Sequence, residues 1–421
     1  MPTVSTRRST APPPLQKVVI TGGSGFLGSA LAAALDHDPN HCYQPILLLD
    51  WTEPTSTQTH KNNNIVFAKV DIRDTQALVH HFNHASIIFH IASYGMSGSS
   101  QLNTMMVRDI NVNGTAAVLD AAMRAGVERL VFTSTYNVVF GGQSISGGDE
   151  SMPYFPLHKH PDEYSRTKAI AEKMVLEANG SGISTENSIE HVLYTCAIRP
   201  AAIWGPGEQR HTPRVVSYIK RGLFCFTFGE HPSKAKMDFV HGNNLVQAHM
   251  LAAEGLSSDR NRPSAGQAYF ISDGEDAAVN NFTFFGQLAM GLGYPYPRIR
   301  VPLWIVYCFA FVTELVYRTS PFGFEPMLTR AEVFKAGVNH WFRIDKARRE
   351  LGYRPEKYDF APVLDVFLSN ENKRRNPQDD GVVARKGMYT PSFFVVVLLF
   401  VVVVVWHCSL SSSRGIGRAK Y

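Results

Sequence analysis

Apolar and polar positions follow two rhythms through the first half of the chain. Short uninterrupted apolar runs, at residues 18–20 and 46–49, read as strands buried on both faces, and longer stretches with apolar residues at helical spacing lie between such runs. The first run breaks into the spaced glycines Gly22, Gly25 and Gly28, and residues 29–35 follow with helical character. Further strands are expected at residues 45–50, 65–70, 86–89, 129–133 and 191–199, the last stopped by Pro200. Helices are expected at 75–82, at 107–125 with Asn111, Asn113 and Gly114 interrupting its first turns, and at 163–179. This alternation predicts the α/β class: a doubly wound, parallel-sheet, Rossmann-type domain with its ligand crevice at the carboxyl ends of the strands.

Beyond Pro200 the alternation fades, which divides the chain. Residues 15–200 form the expected Rossmann domain, to which 242–272 return, and residues 201–241 and 273–371 form a smaller substrate-binding region. Residues 1–14 hold Arg7, Arg8 and three consecutive prolines without an apolar core, so they read as a disordered leader and not a secretory signal.

Two late stretches are unusually apolar. Residues 301–312 are closely followed by Glu314 and Arg318 and are too short to span a bilayer; they suit either a helix in the membrane interface or a buried core helix. Residues 393–406 carry no polar side chain. Extended to Leu410, the run covers roughly 27 Å as a helix, against a bilayer core of about 30 Å. A C-terminal membrane helix at 393–410, after a linker at 372–392, is the expectation; a valine-rich tail of strand propensity is the alternative. Lys373, Arg374, Arg375, Arg385 and Lys386 precede it, against Arg414, Arg418 and Lys420 after it, which favours a cytosolic catalytic domain.

Composition narrows the partners. The net charge of +5 is small for 421 residues and no basic run interleaves with aromatics, so a nucleic-acid partner is not expected. Cys42, Cys196, Cys225, Cys308 and Cys408 lie far apart, which argues against a disulfide framework and a thiolate metal site. His80, His81 and His84 lack further ligands, so no metal is expected.

The spacing Gly22, Gly25, Gly28 after a strand suits a dinucleotide: the glycines give a tight turn and a close approach to the pyrophosphate, and the helix N-terminus offers free N–H groups. Asp50, 22 positions after Gly28, is placed to accept hydrogen bonds from a ribose and would repel a 2′-phosphate, favouring NAD over NADP. Asp71 is placed to meet the adenine edge. The small residues after His90 leave room for the cofactor, and Arg199-Pro200 can set backbone groups against the carboxamide. Tyr164 and Lys168, four apart on one helix, project from the same face. An ammonium beside a phenol favours the phenolate and brings it toward use as a base, and the lysine can also hold a ribose hydroxyl. Thr135, or Ser134, would bind the reacting oxygen.

The strings TGGSGFLG from Thr21, HIAS from His90, NVNGT from Asn111, TST from Thr133, YSRTK from Tyr164 and RPAAIWGPG from Arg199 resemble those of extended short-chain dehydrogenase/reductases. Within that superfamily the chain is similar to the 3β-hydroxysteroid dehydrogenase/isomerase group, family 42E. The resemblance implies NAD(P)-linked oxidation of a 3β-hydroxyl on a steroid or similar hydrophobic alcohol, with Tyr164 as proton acceptor, Lys168 as its partner and Thr135 where a serine is commoner. The expected cofactor contacts are Gly22, Gly25, Phe26, Leu27, Gly28, Asp50, Asp71, Ile72, His90, Ala92, Asn111, Lys168 and Pro200. The expected setting is a membrane, that of the endoplasmic reticulum, with a sterol-like substrate arriving from lipid and a homodimer left open. A nucleotide-sugar epimerase or reductase, and a non-catalytic NAD-binding membrane scaffold, are the alternatives.

Overall fold

The computed structural model describes residues 15–38, 43–54, 64–185, 188–230, 235–319 and 326–375. The leader at 1–14 and the tail segment at 393–410 lie outside the described residues, as does the linker beyond residue 375.

The strands β1 (Gln16–Thr21), β2 (Tyr43–Asp50), β3 (Ile65–Lys69), β4 (Ala85–His90) and β5 (Arg129–Thr133) form the first part of one sheet. Between them lie helices α1 (Phe26–Asp36), α2 (Thr75–Phe82), α3 (Thr104–Arg108) and α4 (Thr115–Arg124). Later come β6 (Ile145–Gly148), α5 (Glu163–Glu177), β7 (Ser181–Thr185), β8 (Ser188–Pro200) and β9 (Ala202–Trp204). The remainder runs α6 (His211–Lys220), β10 (Phe226–Phe228), β11 (Phe239–His241), α7 (Gly242–Gly255), β12 (Ala268–Ile271), α8 (Asn281–Gly291), β13 (Ile299–Val301), α9 (Leu303–Thr319), α10 (Arg330–Gly337), β14 (His340–Phe342) and α11 (Ala361–Arg375).

The main sheet has the order β12-β8-β5-β4-β1-β2-β3, with all neighbours parallel, and β7 folds back antiparallel on β8. The order reverses between β1 and β4, so a crevice opens there at the carboxyl ends of the strands. Both faces are covered. On one, Leu27, Leu31 and Leu35 of α1 pack with Leu245, Ala248 and Ala252 of α7 against Val18, Ile20 and Ile87. On the other, Leu78 of α2, Val118 of α4 and Val175 of α5 cover Val19, Ile88 and Leu130. Residues 242–272 contribute to this layer: α7 packs on α1, and β12 joins the sheet through β8.

The predicted helix at 107–125 begins earlier, at Thr104, and passes through a π-helical turn, Asp109–Gly114, where the interrupting residues lie. Gly114 allows this turn to sit close: a Cβ there would come within 2.6 Å of Ile72 Cδ1.

Over the crevice stands the smaller region, built from paired short strands, β9 with β11, β10 with β13, and β6 with β14, and from α6 and α8 to α11. The β6–β14 pair ties residues 145–148 of the first half to this cover, so the boundary at 200 is not a clean division of the chain. The stretch from Val301 leads into α9, in which Ile305, Val306, Phe309 and Ala310 are buried, whereas Trp304, Phe311, Val312 and Leu315 are exposed along the opposite side. Among the described residues no helix is long and apolar enough to cross a membrane.

One buried ion pair fixes α5 to the sheet. The Arg199 guanidinium in β8 lies 2.6 Å from the Glu172 carboxylate in α5, with side-chain exposures of 4% and 0%, and the Tyr154 hydroxyl donates to the same carboxylate at 2.7 Å. Arg199 is therefore a structural residue, and only its neighbour Pro200 reaches the crevice. Removing one partner strands a buried charge. Glu172→Ala is expected to lower unfolding free energy by about 3–5 kcal/mol in chemical denaturation, with Arg199 left uncompensated.

Candidate active site

The crevice holds a cavity of about 680 Å³ that runs from the glycine loop to the covering region. At one end the loop between β1 and α1 turns so tightly that only glycine fits at two of its three spaced positions. Gly22 has φ +73°, and a Cβ there would lie 2.8 Å from the Ala92 backbone; one on Gly28 would lie 2.4 Å from the Gly22 carbonyl oxygen. Gly22 and Gly28 thus make the close contacts of the turn, with Gly25 between them as the N-cap of α1. Gly23 serves packing on Leu48 instead, where a Cβ would come within 2.7 Å. Gly25, Phe26, Leu27, Gly28, Ala92 and Ile72 all line the cavity, as does Asp50. The Asp50 carboxylate accepts from the Ser24 N–H at 3.2 Å and from the Thr52 N–H and hydroxyl, which holds it beside the loop.

Asp71 also lines the cavity, but its carboxylate is gripped by the Arg73 guanidinium at 2.5 Å, and Arg73 bridges on to Asp109. Three expected cofactor contacts, His90, Asn111 and Lys168, are not at the wall. His90 is buried beneath it, between the hydroxyls of Thr21 at 2.8 Å and Thr115 at 3.0 Å, and burial holds its ring down to about 3. Asn111 braces the wall from behind: its side chain accepts from the Tyr94 N–H at 2.8 Å and donates to the Tyr94 carbonyl and the Thr167 hydroxyl, both at 3.0 Å.

In the middle of the cavity stand Tyr164, Thr135 and Ser134, all buried. Asp162 sets the first turn of α5 by accepting from the Ser165 N–H at 2.6 Å, which orients Tyr164. The Thr135 hydroxyl oxygen accepts from the Asn137 side-chain amide at 2.9 Å and its backbone N–H at 3.3 Å, leaving its own proton to donate. Ser134 Oγ has no partner among the described residues.

Lys168 departs from expectation. It is buried below the cavity floor, where Nζ donates to the Thr133 carbonyl at 2.6 Å and lies 3.9 Å from the Phe132 ring centre. Burial pulls its ammonium down to about 7. The Tyr164 phenol is pushed up by burial, and the charge that opposes this comes from Arg210, not Lys168, with Ser93 as a hydrogen-bonding neighbour. The pairing read from the four-residue spacing gives a shared helix face, but in this state the lysine's charge is not what favours the phenolate.

Residues 19–303 match the profile of the family described as "3-beta hydroxysteroid dehydrogenase/isomerase family". The chain belongs to that family. It is 47% identical over 398 residues to the Bos taurus protein "Short-chain dehydrogenase/reductase family 42E member 1", covering 93% of this chain and 96% of the relative. It is 35% identical over 378 residues to "3beta-hydroxysteroid-dehydrogenase/decarboxylase isoform 2" of Arabidopsis thaliana, covering 85% of this chain and 64% of the relative. Among solved structures, a dTDP-glucose 4,6-dehydratase from Streptomyces venezuelae superposes with a TM-score of 0.63 at 22% identity, covering 86% of this chain and 98% of that one. That likeness supports the Rossmann-type fold. The family identifies an oxidoreductase of the extended short-chain dehydrogenase/reductase type.

Several wall residues of this 3β-hydroxysteroid dehydrogenase family member carry no local sequence signal. Arg210 is exposed at the cavity, and no partner for its side chain is seen among the described residues. Lys335 of α10 lies 5.8 Å from the Tyr164 ring centre and pairs with Asp162 at 3.1 Å. Tyr136 donates its hydroxyl to His340 Nε2 at 3.2 Å, because His340 Nδ1 is taken by the Val338 carbonyl. Asp238 is 4% exposed, with one oxygen accepting from the Phe342 N–H at 2.7 Å and the other unpartnered among the described residues. These four meet only because α10, β14 and the segment before β11 fold back across the sheet. The cavity wall around them is apolar, including Phe239, Phe285, Met237 and Leu328.

Burial raises the Asp238 carboxyl from its ordinary 3.8 to about 8. A carboxyl neutral when folded and ionised when unfolded stabilises fully below the unfolded value, and that contribution is lost as pH rises through the folded one. Folding stability is therefore expected to decline between those two values, and Asp238→Asn to flatten the decline in urea denaturation measured across the range.

Proposed function

We propose that the protein oxidises a 3β-hydroxyl on a steroid or sterol-like alcohol with NAD while seated on a membrane. The observation that carries the reading is Tyr164 and the Thr135 hydroxyl at the junction between a glycine-cradled dinucleotide crevice and an apolar chamber. The cradle fits a dinucleotide because Gly22 and Gly28 permit the tight turn and the close helix, while Gly25 at the cavity leaves the backbone open to a pyrophosphate. Gly22, Gly25 and Gly28 would hold the phosphates, and Asp50 the ribose of the adenosine, where its charge supports NAD over NADP. Oxidised nicotinamide, when bound, supplies the acceptor for a hydride.

The chain's own residues do the rest. Thr135 donates to the reacting oxygen and fixes it toward Tyr164, and Tyr164 takes the hydroxyl proton. Arg210 favours the phenolate against the effect of burial. Lys168, directed to the Thr133 carbonyl, holds the floor and would turn toward the nicotinamide ribose. The apolar chamber supports a hydrophobic alcohol over a nucleotide sugar, and a matched phenol and hydroxyl support turnover over a scaffold role. Membrane seating is supported by the exposed row Trp304, Phe311, Val312 and Leu315 on α9, which suits a helix lying in the interface.

Arg210 favours a second reading. An unpaired guanidinium close to the base could receive a carboxylate on the carbon next to the alcohol, and oxidation would then give a β-keto acid that loses carbon dioxide. The Arabidopsis relative is named as a dehydrogenase/decarboxylase.

Tyr164→Phe is expected to lower the turnover of a 3β-hydroxysterol by about 10²–10⁴-fold with NAD affinity unchanged. Reduced cofactor measured at 340 nm, with binding by titration, checks both. Turnover equal to the parent protein would sink the reading, and release of carbon dioxide from a carboxylated sterol alone would select the second.

A further inference from the structure

A second cavity, of about 400 Å³, lies on the other side of α10 from the active-site cavity. Thr329, Arg330 and Ala331 face it, whereas Glu332, Lys335 and Ala336 face the first. We propose that this second cavity binds a phosphate ester.

Its wall carries three carboxylates and three guanidiniums, and one of the carboxylates is matched from outside it, by Lys335 of the first cavity, which leaves a guanidinium over. Three carboxylates at its wall each have a cation: Asp162 pairs with Lys335 at 3.1 Å, Glu163 with Arg166 at 2.8 Å, and Glu314 with Arg330 at 2.9 Å. Arg318, at the same wall and exposed, meets no carboxylate among the described residues. His160 adds an imidazole in want of bonds. Both of its ring nitrogens are closed off from solvent and neither has a partner among the described residues, while the ring packs edge-on to Phe155 at 5.1 Å between centres. An imidazole with two unmade bonds is an expensive group to bury. A small turn of the ring into the adjacent cavity lets its N–H donate once acceptor oxygens are present there. One surplus guanidinium and one such imidazole suit a tetrahedral oxyanion, whose several oxygens can accept from both.

The position points to where the ligand comes from. Glu314 and Arg318 lie toward the carboxyl end of α9, and Arg318 continues the exposed side of Trp304, Phe311 and Leu315, seven residues after Phe311 and three after Leu315. With α9 in the interface, a premise that rests on the membrane seating proposed above, the cavity opens at the level of lipid headgroups. A soluble phosphate ester offers the same oxygens. Either would act next to the catalytic helix, because His160 stands two residues before Asp162, the cap of α5.

The test titrates the full chain in detergent with dihexanoyl phosphatidic acid, inorganic phosphate and, as the phosphate-free control, dihexanoylglycerol. Phosphatidic acid is expected to bind and dihexanoylglycerol not. Arg318→Gln and His160→Phe should each weaken binding at least tenfold. His160→Phe should also raise the melting temperature of the ligand-free protein, since the ring contact with Phe155 stays and the unbonded nitrogens go. Inorganic phosphate binding as tightly as phosphatidic acid would assign the site to soluble esters. Equal binding of dihexanoylglycerol, undiminished binding by Arg318→Gln with unchanged melting, or no binding of either phosphate would overturn the proposal. Flotation of the same variants on phosphatidylcholine vesicles reads the seating of α9 separately, because loss of flotation with phosphate binding intact would refute only the seating.

Discussion

The approach of α1 to the end of β1 sets the distances on which the cavity depends. Backbone meets backbone there: the Gly28 Cα faces the Gly22 carbonyl with no room for a methyl group, and Gly22 in turn abuts Ala92 at the end of β4. This contact brings the first turn of α1, the end of β1 and the loop after β4 to one point at the switch in strand order. The carboxylate of Asp50 and the small residues after His90 then face the same space. A wider turn would move the helix N-terminus away from the crevice that Tyr164 reaches from the opposite wall.

Burial rather than pairing governs the chemistry of the groups around that space. Tyr164, Lys168 and Asp238 are all shifted chiefly by loss of water, each toward its neutral form. Where such neutral groups and apolar side chains line the space, an apolar molecule enters without stripping hydration from fixed charges. Arg210 keeps its charge at the cavity, where its exposure leaves water to screen it.

Much of this arrangement was legible along the chain because it depends on local spacing. The apolar runs specify the strands, the glycine spacing specifies the turn, and Tyr164 with Lys168 marks the helix α5 that reaches the cavity. What escaped depends on contacts between distant segments. His90 follows a strand at a place where cofactor contacts are common, yet its ring turns inward because Thr21 and Thr115 offer it two hydroxyls. Asn111 is polar within a helix and invites a ligand role, but its amide is consumed by Tyr94 and Thr167. Lys168 follows Tyr164 by four residues on α5, while the Thr133 carbonyl that captures its amine belongs to a neighbouring strand. Arg210, Lys335 and Asp238 have no spacing relative to the glycine loop or to Tyr164 that would reveal them.

The π-helical turn at Asp109–Gly114 reaches further than its length suggests. Such a turn is one residue more than an α-helix needs for the same rise, so it rotates everything that follows by about a quarter turn. Here it lets a single helical segment serve two walls: Asn111 points to the loop after β4 and to α5, while Val118 and Ala122 downstream still face the sheet. The segment therefore counts residues between two fixed surfaces. Loss of a single residue would restore a regular helix and put one of those surfaces out of phase, so length, and not only composition, is constrained in this part of the chain.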